Sequence, residues 1–176
     1  PDYYKIFSEK EFTWNKIRQQ NRNPLLALDI GADGLKTGYL EESGYALTHA
    51  PLIVKDKVII GTAGGEYGIR GFIAAYDINT GKETWRFNTI PAKGEPGNQT
   101  WQGDSWKTGG ASVWVTGSYD PELNLTYWGI GNPGADFNGD KRGGDNLYSD
   151  CVVALDGDTG KLKWYFQFTP HDVWDY

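Results

Sequence analysis

One segment of this chain is written twice. Ala75-Tyr76-Asp77-Ile78-Asn79-Thr80-Gly81-Lys82-Glu83-Thr84-Trp85 and Ala154-Leu155-Asp156-Gly157-Asp158-Thr159-Gly160-Lys161-Leu162-Lys163-Trp164 carry Ala, Asp, Thr, Gly, Lys and Trp at identical offsets. Each recurring residue has a physical task. Asp and Thr bond the backbone of a turn, Gly takes a positive φ, and Trp offers a large flat surface. A decayed third copy begins at Ala27-Leu28-Asp29 and lacks the Thr-Gly-Lys and the Trp. A repeat that cannot bury its own apolar face must stack on its neighbours, in a solenoid or a ring. Four-stranded blades around an axis satisfy that need.

The rest of the chain reads as all-β. With 24 Gly, 8 Trp and 11 Tyr and little helical periodicity, its apolar runs are short and bounded by turn residues. Pro51-Leu52-Ile53-Val54 and Lys57-Val58-Ile59-Ile60-Gly61 have the spacing of a two-residue hairpin at Lys55-Asp56. Phe72–Asp77 pairs with Glu83–Phe87, and Cys151–Asp156 with Lys163–Phe166. Ser112-Val113-Trp114-Val115 is expected to pair with Leu125–Ile130 around Tyr119-Asp120-Pro121-Glu122. Residues 1–22 differ, being polar with spaced apolars, and predict a short helical or irregular arm. Residues 23–176 then form part of a propeller. Two long Gly-rich insertions, Pro91–Gly110 and Gly131–Asn146, hold enough aromatic residues in and around them to be ordered functional loops.

Several function classes fall away. A net charge of −6 without clustered Lys and Arg argues against nucleic acid. No apolar run reaches the roughly 18 to 20 residues of a membrane span. Cys151, the only cysteine, cannot form an internal disulfide and reads as a small buried apolar residue. The absence of Met and the start at Pro1 lead us to expect a piece of a longer protein. Beyond the strand-like run Leu162–Phe168, a Pro-broken loop presents Asp175 beside Trp174, a common placement for a catalytic base or a metal ligand.

Taken together, these residues resemble the quinoprotein alcohol dehydrogenases, which are eight-bladed propellers that carry pyrroloquinoline quinone (PQQ) and a metal on the axis. The repeat is similar to their tryptophan-docking motif. The likeness runs from about Gly44 to Tyr176, through Gly64-Gly65-Glu66-Tyr67-Gly68, Gly103-Asp104-Ser105-Trp106-Lys107, Gly129-Ile130-Gly131-Asn132-Pro133 and Thr169-Pro170-His171-Asp172. It implies that Glu66, Asn132 and Asp175 supply oxygen ligands to a hard cation, Ca²⁺ or a lanthanide. By the same resemblance, Asp175 would double as the general base. Trp114 would form the floor under the quinone, and Thr48, Ala63, Gly64, Gly65 and Ser112 would line its polar edge, with Ala63 standing where relatives carry Ser. His171 is expected to pack or hydrogen-bond in its loop and to take no part in the chemistry.

The resemblance implies oxidation of a primary alcohol to an aldehyde, with hydride passing to PQQ, a cytochrome c-type electron acceptor and a periplasmic location. The family's adjacent-cysteine disulfide and its arginine near the quinone carbonyls would lie upstream and downstream of this chain. In the lanthanide-using branch a further aspartate sits two residues beyond the catalytic one, here the residue after Tyr176. Three other readings compete. One is a non-enzymatic scaffold with PQQ-like repeats, which would have no reason to hold Glu66, Trp114, Asn132 and Asp175 together. The second is a sugar-oxidising quinoprotein, disfavoured by the Gly-Asn-Pro and Thr-Pro-His-Asp segments. The third is a haem-carrying alcohol dehydrogenase, which a Gly in place of His171 would have favoured.

Overall fold

A computed structural model describes residues 11–14, 17–20, 36–40, 45–49 and 51–175 of the chain. Two four-stranded antiparallel meanders dominate it. The first holds β5 (Leu52–Val54), β6 (Lys57–Gly61), β7 (Phe72–Asp77) and β8 (Glu83–Asn88), and the second β9 (Ser118–Asp120), β10 (Leu125–Gly129), β11 (Cys151–Asp156) and β12 (Leu162–Gln167). Two hairpins precede them: β1 (Glu11–Trp14) with β2 (Ile17–Gln20), and β3 (Lys36–Leu40) with β4 (Tyr45–His49). Among the described residues no helix is long and apolar enough to cross a membrane.

The duplicated segment folds twice in the same way. In the first copy the Asp77 carboxylate accepts from the Thr80 amide at 2.7 Å and the Thr80 hydroxyl at 2.8 Å. In the second, Asp156 accepts from the Thr159 amide at 3.0 Å and its hydroxyl at 2.9 Å. Gly81 and Gly160 take φ of 67° and 66°, the left-handed region that glycine enters without penalty. Both strand pairs shift register at the same point, between Ala75 and Tyr76 and between Ala154 and Leu155.

The two sheets are joined through Trp85 of β8. Its indole N–H donates to the Gly157 carbonyl at 3.3 Å, and its ring lies so close to Gly160 that a Cβ there would sit 2.3 Å from Cε3. The tryptophan of one repeat therefore docks on the turn of the next. Val54, Ile59, Ile73 and Ala75 of the first sheet share one core with Trp128, Val153 and Leu155 of the second. Lys55 and Asp158 close the seam at 2.9 Å on the surface.

Two sequence expectations need correction. Ser112–Val115 is not a strand; β9 lies at Ser118–Asp120 and takes its place beside β10. Gly110 and Ala111, immediately before it, both adopt positive φ, 72° and 50°, so the chain does not enter the segment in an extended conformation. The backbone there bonds irregularly to both sheets, Val113 N–H to Thr62 O at 2.6 Å and Gly131 N–H to Ser112 O at 2.8 Å. The expected helical or irregular arm in residues 1–22 instead contains the β1–β2 pair, Trp14 opposite Ile17. Phe12 and Trp14 alternate with Glu11 and Thr13, a period of two in strand-forming residues. The Arg18 guanidinium donates across the pair to Glu11 at 3.0 Å. The decayed copy at Ala27–Asp29 lies outside the described residues.

Candidate functional site

Antiparallel meanders have two ends, and these two are unlike. One end carries the tight turns at Lys55-Asp56, Asn79–Lys82, Pro121–Asn124 and Asp158–Lys161. The other carries every long connection: Thr62–Gly71 between β6 and β7, Thr89–Gly117 between the sheets, Ile130–Asp150 between β10 and β11, and the segment after β12. These loops are stitched together by backbone. Gly110 bridges both Arg70 and Pro133, Ala111 N–H donates to Asn132 O at 3.0 Å, and Gly134 N–H donates to Gly109 O at 2.8 Å. Most of the residues singled out in the sequence lie at this end.

Gly64 (φ 88°) and Gly68 (φ 64°) bracket a short 3-10 turn, Gly65–Tyr67, that holds Glu66. Glu66 is exposed and has no hydrogen-bond or ion-pair partner among the described residues. Gly65 backs onto Ser112, whose Oγ would lie 3.1 Å from a Cβ at that glycine. A Cβ at Gly131 would meet the Trp114 Nε1 at 3.4 Å and the Ser112 Oγ at 3.5 Å. Gly65, Ser112, Trp114 and Gly131-Asn132 thus share one neighbourhood, where missing side chains let backbone and indole approach. Ala63 is half-buried at the loop entrance. Trp114 is 61% exposed, a rigid aromatic plane outside the core.

Asn132 donates through Nδ2 to the Asp136 carboxylate at 2.8 Å. Asp175 is exposed at φ 65° and has no partner among the described residues. The loop that carries it is anchored by Asp172, which is 1% exposed and accepts from the Trp174 amide at 2.9 Å. His171 packs against Gly139, and its Nδ1–H donates to the Gly144 carbonyl at 2.9 Å, so it serves the loop as expected. Thr48 lies in β4 opposite Thr37, with its side chain outside the described residues. Among the described residues no three His, Cys, Asp or Glu side chains converge as a metal cluster. The candidate set mixes two carboxylates with an amide.

Three groups at this end escaped the sequence reading. Arg142, 1% exposed, donates to the Asp136 and Asp172 carbonyls and to Asn146 Oδ1, the last at 2.8 Å. It ties the Asn132 loop to the Asp175 loop. Burial pulls its guanidinium below the ordinary value, against the pull of Asp172, Asp150 and Asp136. Asp150 is 6% exposed and neither carboxylate oxygen finds a hydrogen-bond partner. The hydroxyl of adjacent Ser149 is committed to the Asn146 carbonyl at 2.7 Å. Burial, and then the Asp172 charge, push the Asp150 carboxyl up to about 7. Asp136 is the third. Its place four residues past Asn132 was the one legible signal, since Asx side chains favour such tight turns.

Comparison with known proteins identifies the family. Residues 28–176 match the PQQ family described as "Glucose/ethanol/alcohol dehydrogenase, beta-propeller domain". The chain belongs to the PQQ-dependent dehydrogenase family. It is 50% identical to the quinohemoprotein alcohol dehydrogenase ADH IIB of Pseudomonas putida, over 75% of this chain and 21% of that protein. It is 45% identical to the lanthanide-dependent methanol dehydrogenase of Methylacidiphilum fumariolicum strain SolV, over 76% of this chain and 25% of the relative. Among solved structures, a europium-containing methanol dehydrogenase superposes with a TM-score of 0.70 at 44% identity, covering 74% of this chain and 26% of its own. The quinohemoprotein alcohol dehydrogenase of Comamonas testosteroni gives 0.67 at 37%, covering 91% and 24%.

The chain thus spans about a quarter or less of these PQQ-dependent relatives. Its two meanders are part of the family's β-propeller, as the repeat predicted, and the fragment is of an enzyme family.

Proposed function

We propose that the protein to which this chain belongs oxidises small primary alcohols to aldehydes, using PQQ and a hard cation held at the long-loop end of the sheets. The observation that carries this reading is the exposed Trp114 plane beside Ser112 and Gly131, next to an amide oxygen that Asn132 does not spend on Asp136. The donor set fits such a group. Glu66 and Asp175 offer uncommitted carboxylates, and hard cations take carboxylate and amide oxygens. The chemistry contributed by the bound groups is hydride acceptance at a quinone carbonyl polarised by the cation.

The chain's own residues do the rest. Trp114 supplies a flat surface for a planar ring system, and the side-chain-free backbone at Gly64, Gly65 and Gly131 allows close approach. Ser112 and Thr48 have hydroxyls able to donate to carboxylate or carbonyl oxygens, while Ala63 has none. Asp175, exposed at the loop, would accept the alcohol O–H proton as hydride leaves the neighbouring carbon. Ca²⁺ and a lanthanide both suit these donors. An aspartate immediately after Tyr176 would favour the trivalent ion, and Ser, Thr or Ala there Ca²⁺. A cytochrome c-type acceptor and a periplasmic setting complete the proposal.

The test is made on the full-length protein with PQQ and either Ca²⁺ or La³⁺, following alcohol-dependent dye reduction. Asp175→Asn should lower kcat about a hundredfold or more with quinone absorbance retained. Trp114→Ala should instead lose PQQ on dialysis. A near-normal kcat in Asp175→Asn would remove it from the base role. Bound quinone that no alcohol reduces would remove the alcohol assignment.

A further inference from the structure

Asn132 is a two-faced side chain. Its amide presents an oxygen on one side and an NH₂ on the other, nearly the same in shape, and only the oxygen can hold a cation. What decides which side faces the site is its neighbour. Asp136 accepts from Asn132 at 2.8 Å, and a carboxylate can only accept, so Nδ2 must face Asp136 and Oδ1 must face away. The opposite rotamer would set two oxygens against each other and forfeit a charge-assisted bond.

Asp136 is itself held. Its amide donates to the Pro133 carbonyl at 3.1 Å, and its own carbonyl accepts from buried Arg142, which also donates to the Asp172 carbonyl. Its φ of 38° is one that Asp tolerates and a β-branched residue would not. A buried guanidinium therefore fixes the Asp136 backbone, and the carboxylate carried on that backbone orients the amide. We propose that Asp136 is a positioning residue that orients the Asn132 amide oxygen toward the cation. This rests on the reading of Asn132 as a ligand given above.

Two substitutions separate orientation from folding. Asp136→Gly deletes the side chain at a positive φ that glycine adopts freely, so the backbone is not strained. Asp136→Asn keeps an oxygen that can accept from Asn132 Nδ2. Metal-free full-length protein with PQQ is dialysed against Tb³⁺, bound ion is measured directly, and thermal unfolding is recorded alongside. Asp136→Gly should weaken Tb³⁺ binding by about tenfold or more, and Asp136→Asn should recover it to within about threefold. In an Asn132→Asp background, where either side-chain oxygen can serve as the ligand, Asp136→Gly should no longer weaken binding.

Unchanged affinity in Asp136→Gly, with Asn132→Ala weakened, would overturn the proposal and leave Asn132 a ligand. So would an Asp136→Asn as weak as the glycine variant, or equal weakening by Asp136→Gly in the Asn132→Asp background. Unchanged binding in Asn132→Ala would instead remove Asn132 from the ligand set, and the proposal with it.

Discussion

Asp150 sits in an environment that opposes its charge. Both its oxygens are buried without partners, and the carboxyl is pushed up to about 7 from an ordinary 3.8, first by burial and then by Asp172. Between those values the unfolded chain ionises while the native carboxyl stays protonated. Its contribution to stability is therefore fully present below about pH 3.8 and is lost as pH rises through about 7. At about 1.4 kcal/mol per unit, the loss has an upper bound of about 4 kcal/mol. Asp150→Asn keeps the shape and cannot ionise. In the full-length protein it should raise the denaturation midpoint at pH 8 and leave it nearly unchanged at pH 4. Equal stabilisation at both pH values would assign the effect to packing and not to charge.

At the scale of the element, the repeated hairpin performs one of its tasks locally and another across sheets. Gly81 and Gly160 share the same backbone angle, yet no atom lies within 4 Å of a Cβ built at Gly81, while one at Gly160 would meet the Trp85 ring at 2.3 Å. Alanine at either site pays about 1–2 kcal/mol for the left-handed conformation. At Gly160 the overpacking of the indole adds about 1–3 kcal/mol. Urea unfolding should rank Gly160→Ala well below Gly81→Ala. Equal destabilisation would mean that Trp85 yields without cost, against its indole bond to Gly157. The long connections behave differently, because glycines there meet backbone from distant segments: a Cβ at Gly71 would lie 2.1 Å from the Ala111 carbonyl oxygen.

At the scale of the molecule, the two meanders are unequally covered. Trp85 of β8 is 8% exposed against the next sheet, whereas its repeat partner Trp164 is 45% exposed on β12. Phe166 and Phe168 beside it are 58% and 68% exposed, a contiguous aromatic edge of the kind that pairs or aggregates when left open. Relatives about four times longer share this fold. Residues 1–176 produced alone should bind a hydrophobic dye, melt without a sharp transition and fail to retain PQQ; the full-length protein should do the reverse. A cooperative melt with bound PQQ in the isolated segment would contradict this.

What the amino-acid order settles unaided is whatever closes within a few residues. The Asp77 and Asp156 turns need only an amide and a hydroxyl three positions on, so both hairpins and the pairing of Lys57–Gly61 with Leu52–Val54 are legible. The motifs around Glu66, Trp114, Asn132 and Asp175 are legible too, but as a resemblance. Apart from the β1–β2 pair, whose alternation is local, the failures share a cause. Val113 alternates with Val115 as a strand would, yet its amide bonds Thr62, far back in the chain, and the strand beside β10 forms elsewhere. Nothing near Arg142 announces that it will reach Asp172, 30 positions on, and nothing near Asp150 announces that its oxygens will have no donor. Local hydrogen bonds obey local rules. Burial, and the company a charge keeps inside it, belong to the folded whole, because they depend on which distant segments arrive to exclude water.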